Sequence, residues 1–400
     1  LKKSKEGKPV KGFTFSGVAS GIKATGRKDI ALIISYTPAT VAGVFTKNSV
    51  KAAPVIWSQS VAKNGICRAI VVNSGNANAC TGDRGKADTK EMASIVAKRV
   101  GCKLREVAVS STGIIGVPLP MDKVRKGIEK GLQALSPACF SEAAEAIMTT
   151  DTFPKSSTVD IAVAGQKVRL TAMAKGSGMI NPNMATMLAF IVTDVAITQP
   201  LLKEALAESA EFTFNRITVD GEMSTNDTAM ILANGAAQNR LINKKGKDYN
   251  LFKDALLFLS ADMAEKIIRD GEGATKFVKI GVKGAETDAT ALEVANKIAN
   301  SSLVKTAIFG EDPNWGRIVS AAGSCKAKVY FDKIDLLIGT IPIISTGRPT
   351  GQADKGSVKK YLKKKDIAIT LNLNLGKGEA EVLTTDLTYE YIRINSAYSS

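Results

Sequence analysis

The chain has 400 residues, 44% hydrophobic and 23% charged, with 34 glycines and 12 prolines; at ~150 residues per domain this allows two or three domains and a large core, and it excludes disorder, collagen-like repeats and low complexity. Histidine is absent, which removes Ser-His-Asp and Cys-His nucleophile systems, His-ligated zinc and imidazole proton shuttles together. The net charge of +16 comes from lysine tufts such as 2–5, 244–247 and 359–365 without interleaved aromatics, a pattern that favours a solvated basic surface over a nucleic-acid face.

Short β-branched runs at 30–35 and 69–73 predict buried strands. The second leads into the small polar loop 73–82. A helix is predicted over 88–100, with Met92, Ile95, Val96 and Val100 at helical spacing and Asp88 as cap. A third strand at 107–110 runs into Ser111-Thr112-Gly113-Ile114-Ile115-Gly116, and helices follow over 121–135 and 141–149, the second ending in Thr149-Thr150-Asp151-Thr152. A hairpin, 158–163 with 167–174, leads to the Gly-rich turn 175–185, and a further apolar strand begins at Thr186. The second half predicts helices over 200–211, 251–269 and 288–300 and strands over 367–375 and 387–394. Strands and helices alternate without strict βαβ regularity, so the expected fold is α/β (or α+β), layered, with mixed sheets packed with helices.

The five cysteines, Cys67, Cys80, Cys102, Cys139 and Cys325, form no CxxC pair, and no apolar run approaches the ~18 residues of a spanning helix. With no signal-peptide apolar region near residue 1, the expected location is a reducing cytoplasm. No metal site is expected. Nucleotide-binding and hydrolase motifs are missing, and Asp151, Asp194, Asp220, Glu272 and Glu311 stand in no diagnostic carboxylate pair.

One base escapes composition counts. A chain end carries an α-amine of pKa near ~8, and a Thr exposed there supplies nucleophile and base in one residue. That requires self-cleavage, and Ala185-Thr186 suits it: a Gly/Asn/Pro-rich turn precedes the bond and an apolar strand follows. From the residues alone, threonines at strand starts are more often structural. The lone turn Lys175-Gly176-Ser177-Gly178 is likewise more often a turn than an anion cradle, and Lys175 and Glu272 would ordinarily be solvated.

Asn181-Pro182-Asn183-Met184-Ala185-Thr186-Met187-Leu188, preceded by Lys175-Gly176-Ser177-Gly178-Met179-Ile180, resembles the cleavage and nucleophile motif of the ornithine acetyltransferase (glutamate N-acetyltransferase) family of arginine biosynthesis. Segments 17–23, 73–82, 111–116, 149–152, 218–221, 270–276, 311–317 and 394–400 are similar to that family in order, so the resemblance spans nearly the whole chain. Asn181 departs from it, since members often carry His or Ala there.

The resemblance implies cleavage between Ala185 and Thr186 into an α chain (1–185) and a β chain (186–400), intertwined in one globular unit and paired as an α2β2 heterotetramer. It implies transfer of acetyl from N2-acetylornithine to glutamate by a ping-pong mechanism through acetyl-Thr186, with Thr112 and Gly113 as the oxyanion hole. Thr149 or Thr150, Lys175, Thr186, Glu272, Asn395 and Ser400 would surround the amino-acid substrate. No cofactor is implied; acetyl-CoA is a second acetyl donor in bifunctional members only. Segments 73–82 and 311–317 are expected to be structural, with Trp315 anchoring packing. The competing readings are a related N-terminal-nucleophile amidase or aminopeptidase, in which water takes the acyl group, and a basic nucleic-acid-binding protein.

Overall fold

The computed structural model describes residues 2–181, 187–353 and 356–397. The chain divides into two compact units, residues 1–179, 183–215 and 223–267 in the first, and 180–182, 216–222 and 268–400 in the second. The first unit takes residues from both sides of the expected cut at 185/186.

Among the described residues, the first unit is built on a nine-stranded mixed sheet of β1 (Lys2–Ser4), β2 (Phe13–Val18), β3 (Ile30–Phe45), β4 (Ile66–Asn76), β5 (Val107–Ile114), β6 (Lys155–Val163), β7 (Gln166–Lys175), β8 (Leu188–Thr193) and β9 (Thr228–Ala233). The order is β1-β6-β7-β8-β9-β3-β4-β5, with β2 on β3. β8, which follows the expected cut, pairs antiparallel with β7, which precedes it, and parallel with β9. Strands from both sides of the expected cut therefore share one sheet.

Alternation along β3 and β4 explains their unbroken apolar runs. Ile30, Leu32, Ile34, Ala69 and Val71 enter one core with the helices Gly82–Val100 and Met121–Gln133. Ala31, Ile33, Ile70 and Val72 enter another with Phe13, Phe15 and Phe140. A strand covered on both faces has no solvent-facing position, so polar alternation disappears. β3 runs ten residues beyond the predicted end at 35, through a register shift between Ile34 and Ala39 that leaves Tyr36 exposed.

Among the described residues, the second unit holds a six-stranded sheet of β10 (Phe277–Ala285), β11 (Asp335–Ile338), β12 (Ile341–Ser345), β13 (Arg348–Pro349), β14 (Asp366–Asn372) and β15 (Gly378–Thr385), ordered β13-β12-β11-β14-β10-β15. Here alternation is clean: Val278, Ile280 and Val282 are buried while Lys279 is exposed. The buried face packs against the helices Asp288–Ala299, Ser302–Phe309 and Trp315–Gly323, and Trp315 packs at the margin of this core.

The predicted helices are present with ends moved by a few residues. The strand predicted at 387–394 is not: β15 ends at Thr385, and Tyr389–Ala397 is a helix. Its Tyr and Ile residues suggest a strand, but Thr388 accepts a hydrogen bond from Tyr391 N (3.2 Å) and caps a helical turn.

Candidate active site

The centre of the site in the first unit is a buried carboxylate. Asp151 lies just after the helix Phe140–Ala146, and its Oδ1 accepts from Lys155 Nζ at 2.7 Å and from Gly176 N at 2.7 Å. Its Oδ2 accepts from Thr149 N at 2.9 Å and faces Lys175 Nζ at 3.9 Å. Burial by itself would raise the Asp151 pKa, but the charges of Lys175 and Lys155 overcome it and hold the carboxyl well below the usual carboxylate range.

That carboxylate gathers several of the expected substrate residues. Lys175, at the end of β7, is 3% exposed and donates to Thr112 Oγ1 on β5 at 3.4 Å. Thr150 Oγ1 and Ser177 Oγ share a hydrogen bond of 2.7 Å, so the 149–152 turn and the Gly-rich turn are joined twice. The ordinary expectation of a solvated Lys175 is thus replaced by a buried ammonium beside an ionised carboxylate.

Thr112 and Gly113 end β5 where it runs parallel to β4, with Gly113 opposite Gly75. Gly113 has φ +134, and an added Cβ would lie 2.3 Å from the Gly75 carbonyl carbon. Only glycine fits there, because both the backbone angle and the neighbouring backbone exclude a side chain. The segment 73–82, predicted as a loop but strand as far as Asn76, braces this point: Ser111 Oγ donates to Asn73 Oδ1 at 2.6 Å, and Asn226 Nδ2 donates to the carbonyls of Ala77 (2.7 Å) and Ser111 (2.8 Å). The structural role expected of that loop is what the geometry provides.

Thr186, Ala185 and Ser400 lie outside the described residues. The next residue, Met187, donates its N–H to Asp227 Oδ1 at 3.2 Å, and burial raises the Asp227 pKa well above its ordinary value. Ahead of the expected cut, the Ile180 carbonyl accepts from Val219 N (2.9 Å) and Thr218 Oγ1 (3.0 Å), while Asn181 Nδ2 donates to the Gly221 carbonyl. The departure at Asn181 therefore has a structural use.

In the second unit, Asn395 Nδ2 donates to Glu272 Oε2 at 2.9 Å, which brings those two expected substrate residues to each other. Lys276 Nζ donates to Glu311 Oε1 at 3.1 Å, joining the 270–276 and 311–317 segments.

Two contributors went unassigned in the sequence. In the sequence Asp151 is one carboxylate among several, and the signal for it is Lys155 four residues on with Thr149-Thr150 before it. Lys23 donates to the carbonyls of Lys28 and Met148, each at 2.7 Å, and so fixes the residue before Thr149. Burial and the nearby Arg27 lower its pKa to about 8.

No group of three or more Cys, Asp or Glu suited to a metal ion occurs among the described residues. Among them, no helix is long and apolar enough to cross a membrane. All five cysteines are free thiols.

The ArgJ family model matches residues 14–400. The arginine biosynthesis bifunctional protein ArgJ of Geobacter sulfurreducens is 49% identical over 389 residues, covering 97% of this chain and 99% of that protein. The protein of the same name from Symbiobacterium thermophilum is 46% identical, with 97% and 96% covered. A solved structure of arginine biosynthesis bifunctional protein ArgJ from Bacillus halodurans is 42% identical with a TM-score of 0.50, covering 52% of this chain and 98% of that one. The ornithine acetyltransferase of Mycobacterium tuberculosis, solved in complex with ornithine, is 40% identical with a TM-score of 0.40, covering 45% of this chain and 98% of that one.

Proposed function

The chain belongs to the ArgJ family and is an acetyltransferase of arginine biosynthesis; from that premise we propose that it moves acetyl from N2-acetylornithine to glutamate through an acetyl ester on Thr186. The observation that carries the reading is the Asp151 cluster, which holds a buried Lys175 ammonium 3.4 Å from the Thr112 hydroxyl at the ends of β5 and β7.

In the proposed cycle the Thr186 α-amine takes the Oγ proton as Oγ attacks the acetyl carbonyl, and Thr112 and Gly113 stabilise the resulting oxyanion. The intermediate collapses by breaking the C–N bond, and the Thr186 ammonium returns the proton to the departing ornithine amine. The glutamate α-amine then attacks the ester, forming the new amide bond and releasing Thr186 Oγ with its proton. Lys175 pairs with the α-carboxylate common to both amino acids, and Glu272 and Asn395 contact the remainder of the substrate.

The same reading includes cleavage between Ala185 and Thr186, a cytoplasmic α2β2 assembly, and acetyl-CoA as a second donor. Relatives named as bifunctional support the last. The strand order, in which β8 lies between β7 and β9, supports two products that stay folded together. The test is incubation of cut enzyme with acetylornithine and no glutamate. A stable gain of about 42 Da on the fragment beginning at Thr186, discharged by glutamate as N-acetylglutamate, is expected. Discharge to acetate at the same rate without glutamate would instead indicate the amidase reading. Activity with acetyl-CoA and glutamate tests bifunctionality.

A further inference from the structure

The Tyr389–Ala397 helix has no buried residue, and its Tyr389 and Ile392 are exposed by 81% and 60%. Apolar burial therefore does little to hold it, and polar contacts along one face must serve. Thr388, Tyr391 and Asn395 fall at i, i+3 and i+7, the spacing of a single helical face. Thr388 Oγ1 donates to the Gly273 carbonyl at 2.7 Å, Tyr391 Oη donates to Asp220 Oδ2 at 3.1 Å, and Asn395 Nδ2 donates to Glu272 Oε2 at 2.9 Å. The approach is close, since a Cβ on Gly273 would lie 2.6 Å from Tyr391 N.

The middle contact differs from its neighbours in what lies behind it. Asp220 presents its other oxygen, Oδ1, to Ile180 N at 3.0 Å and Glu222 N at 3.2 Å. The Thr218–Gly221 turn that carries it also binds the Ile180 carbonyl and the Asn181 side chain. One carboxylate thus bonds the helix that bears Asn395 through one oxygen and the backbone leading to the expected cut through the other. Burial and the adjacent Asp220 charge push the Tyr391 phenol's pKa upward, so it remains a donor across the working range.

We propose that Tyr391 and Asp220 are positioning residues that couple docking of the Tyr389–Ala397 helix to the backbone leading into the scissile segment, so that the helix sets both the rate of self-cleavage and the affinity for the amino-acid substrate. The proposal rests on the reading of Ala185–Thr186 as the cut and of Glu272 and Asn395 as substrate contacts.

Tyr391→Phe removes one hydroxyl and little volume, and Arg393→Ala, which breaks only the exposed pair with Glu390 on the same helix, is the control. Amide hydrogen exchange is measured at the Ile180 N–H and across the helix, together with the time course of chain cutting and the steady-state constants of the cut enzyme. In Tyr391→Phe, exchange is expected to rise ~10-fold at both places, cutting to slow ~10-fold, and KM for acetylornithine to rise ~10-fold with kcat within about twofold, as loss of one charge-assisted bond would give. Arg393→Ala should match wild type. Faster exchange in the helix with Ile180 unchanged would overturn the coupling, and so would wild-type cutting and KM in Tyr391→Phe. A wild-type chain that never cuts would refute the cleavage reading instead, and the exchange measurement would still decide the coupling.

Discussion

Replacing Asp151 with asparagine removes the one charge that faces two lysines, and its cost can be worked from the contacts. An amide oxygen can keep the bonds from Lys155 Nζ and Gly176 N, both 2.7 Å. The amide nitrogen then replaces Oδ2 and points a donor at the Thr149 N–H and the Lys175 ammonium, which now sit at 2.9 and 3.9 Å from an acceptor. Lys155 and Lys175 both lose the Asp151 charge, and breaking a buried pair in this way costs about 3–5 kcal/mol. Urea unfolding of Asp151→Asn near neutral pH should show that loss. The pH dependence has a definite sign. Since the native carboxyl sits below its ordinary value, the wild-type advantage is fully present above the unfolded pKa near ~3.9 and disappears as pH falls through the lower native value. A loss under about 1 kcal/mol near neutral pH, or an advantage unchanged in acid, would refute the reasoning.

The other predictions follow from single groups. Lys175→Met should lower kcat/KM for acetylornithine by ~100-fold while leaving the fold intact by circular dichroism, because the substrate carboxylate loses its buried partner. Burial lowers the Lys305 pKa to about 8, where its Nζ donates to the Thr384 and Thr385 hydroxyls and the Thr385 carbonyl. The unfolded chain therefore holds more protons above that pH, and wild-type stability should rise by up to about 3 kcal/mol between pH ~8 and ~10.5, a rise absent from Lys305→Met. A thiol reagent should label exposed Cys80 first and leave Cys67 untouched in the folded protein, since burial pushes the Cys67 thiol up to about 12.

How much the sequence discloses depends on how local each cause is. The cores of β4 and of the Gly82–Val100 helix follow from runs and spacings within a dozen residues, but the helix begins six residues before the predicted Asp88 cap, which lies buried inside it, and β4 extends past its predicted ends on both sides. The burial of Lys175 depends on Asp151, which stands 24 positions earlier and meets it only through the fold, so no local pattern announces it. The Tyr389–Ala397 helix misleads for a related reason: its β-favouring aromatics meet no sheet edge, and its Thr388 cap and polar face outweigh local preference. The short strands β11–β13 pass unnoticed because each offers five residues or fewer. Thr112 and Gly113 are proposed from the family resemblance, whereas the need for glycine at 113 becomes physical only once Gly75 lies against it.

The central claim is that the chain matures by cutting itself before Thr186, and intact mass under denaturing conditions tests it most directly. Dividing 42.2 kDa in the ratio 185 to 215 predicts fragments of about 19.5 and about 22.7 kDa, the heavier beginning at Thr186, with a single uncut chain in Thr186→Ala. A wild-type chain that stays whole while transferring acetyl between acetylornithine and glutamate at the full rate would contradict the account.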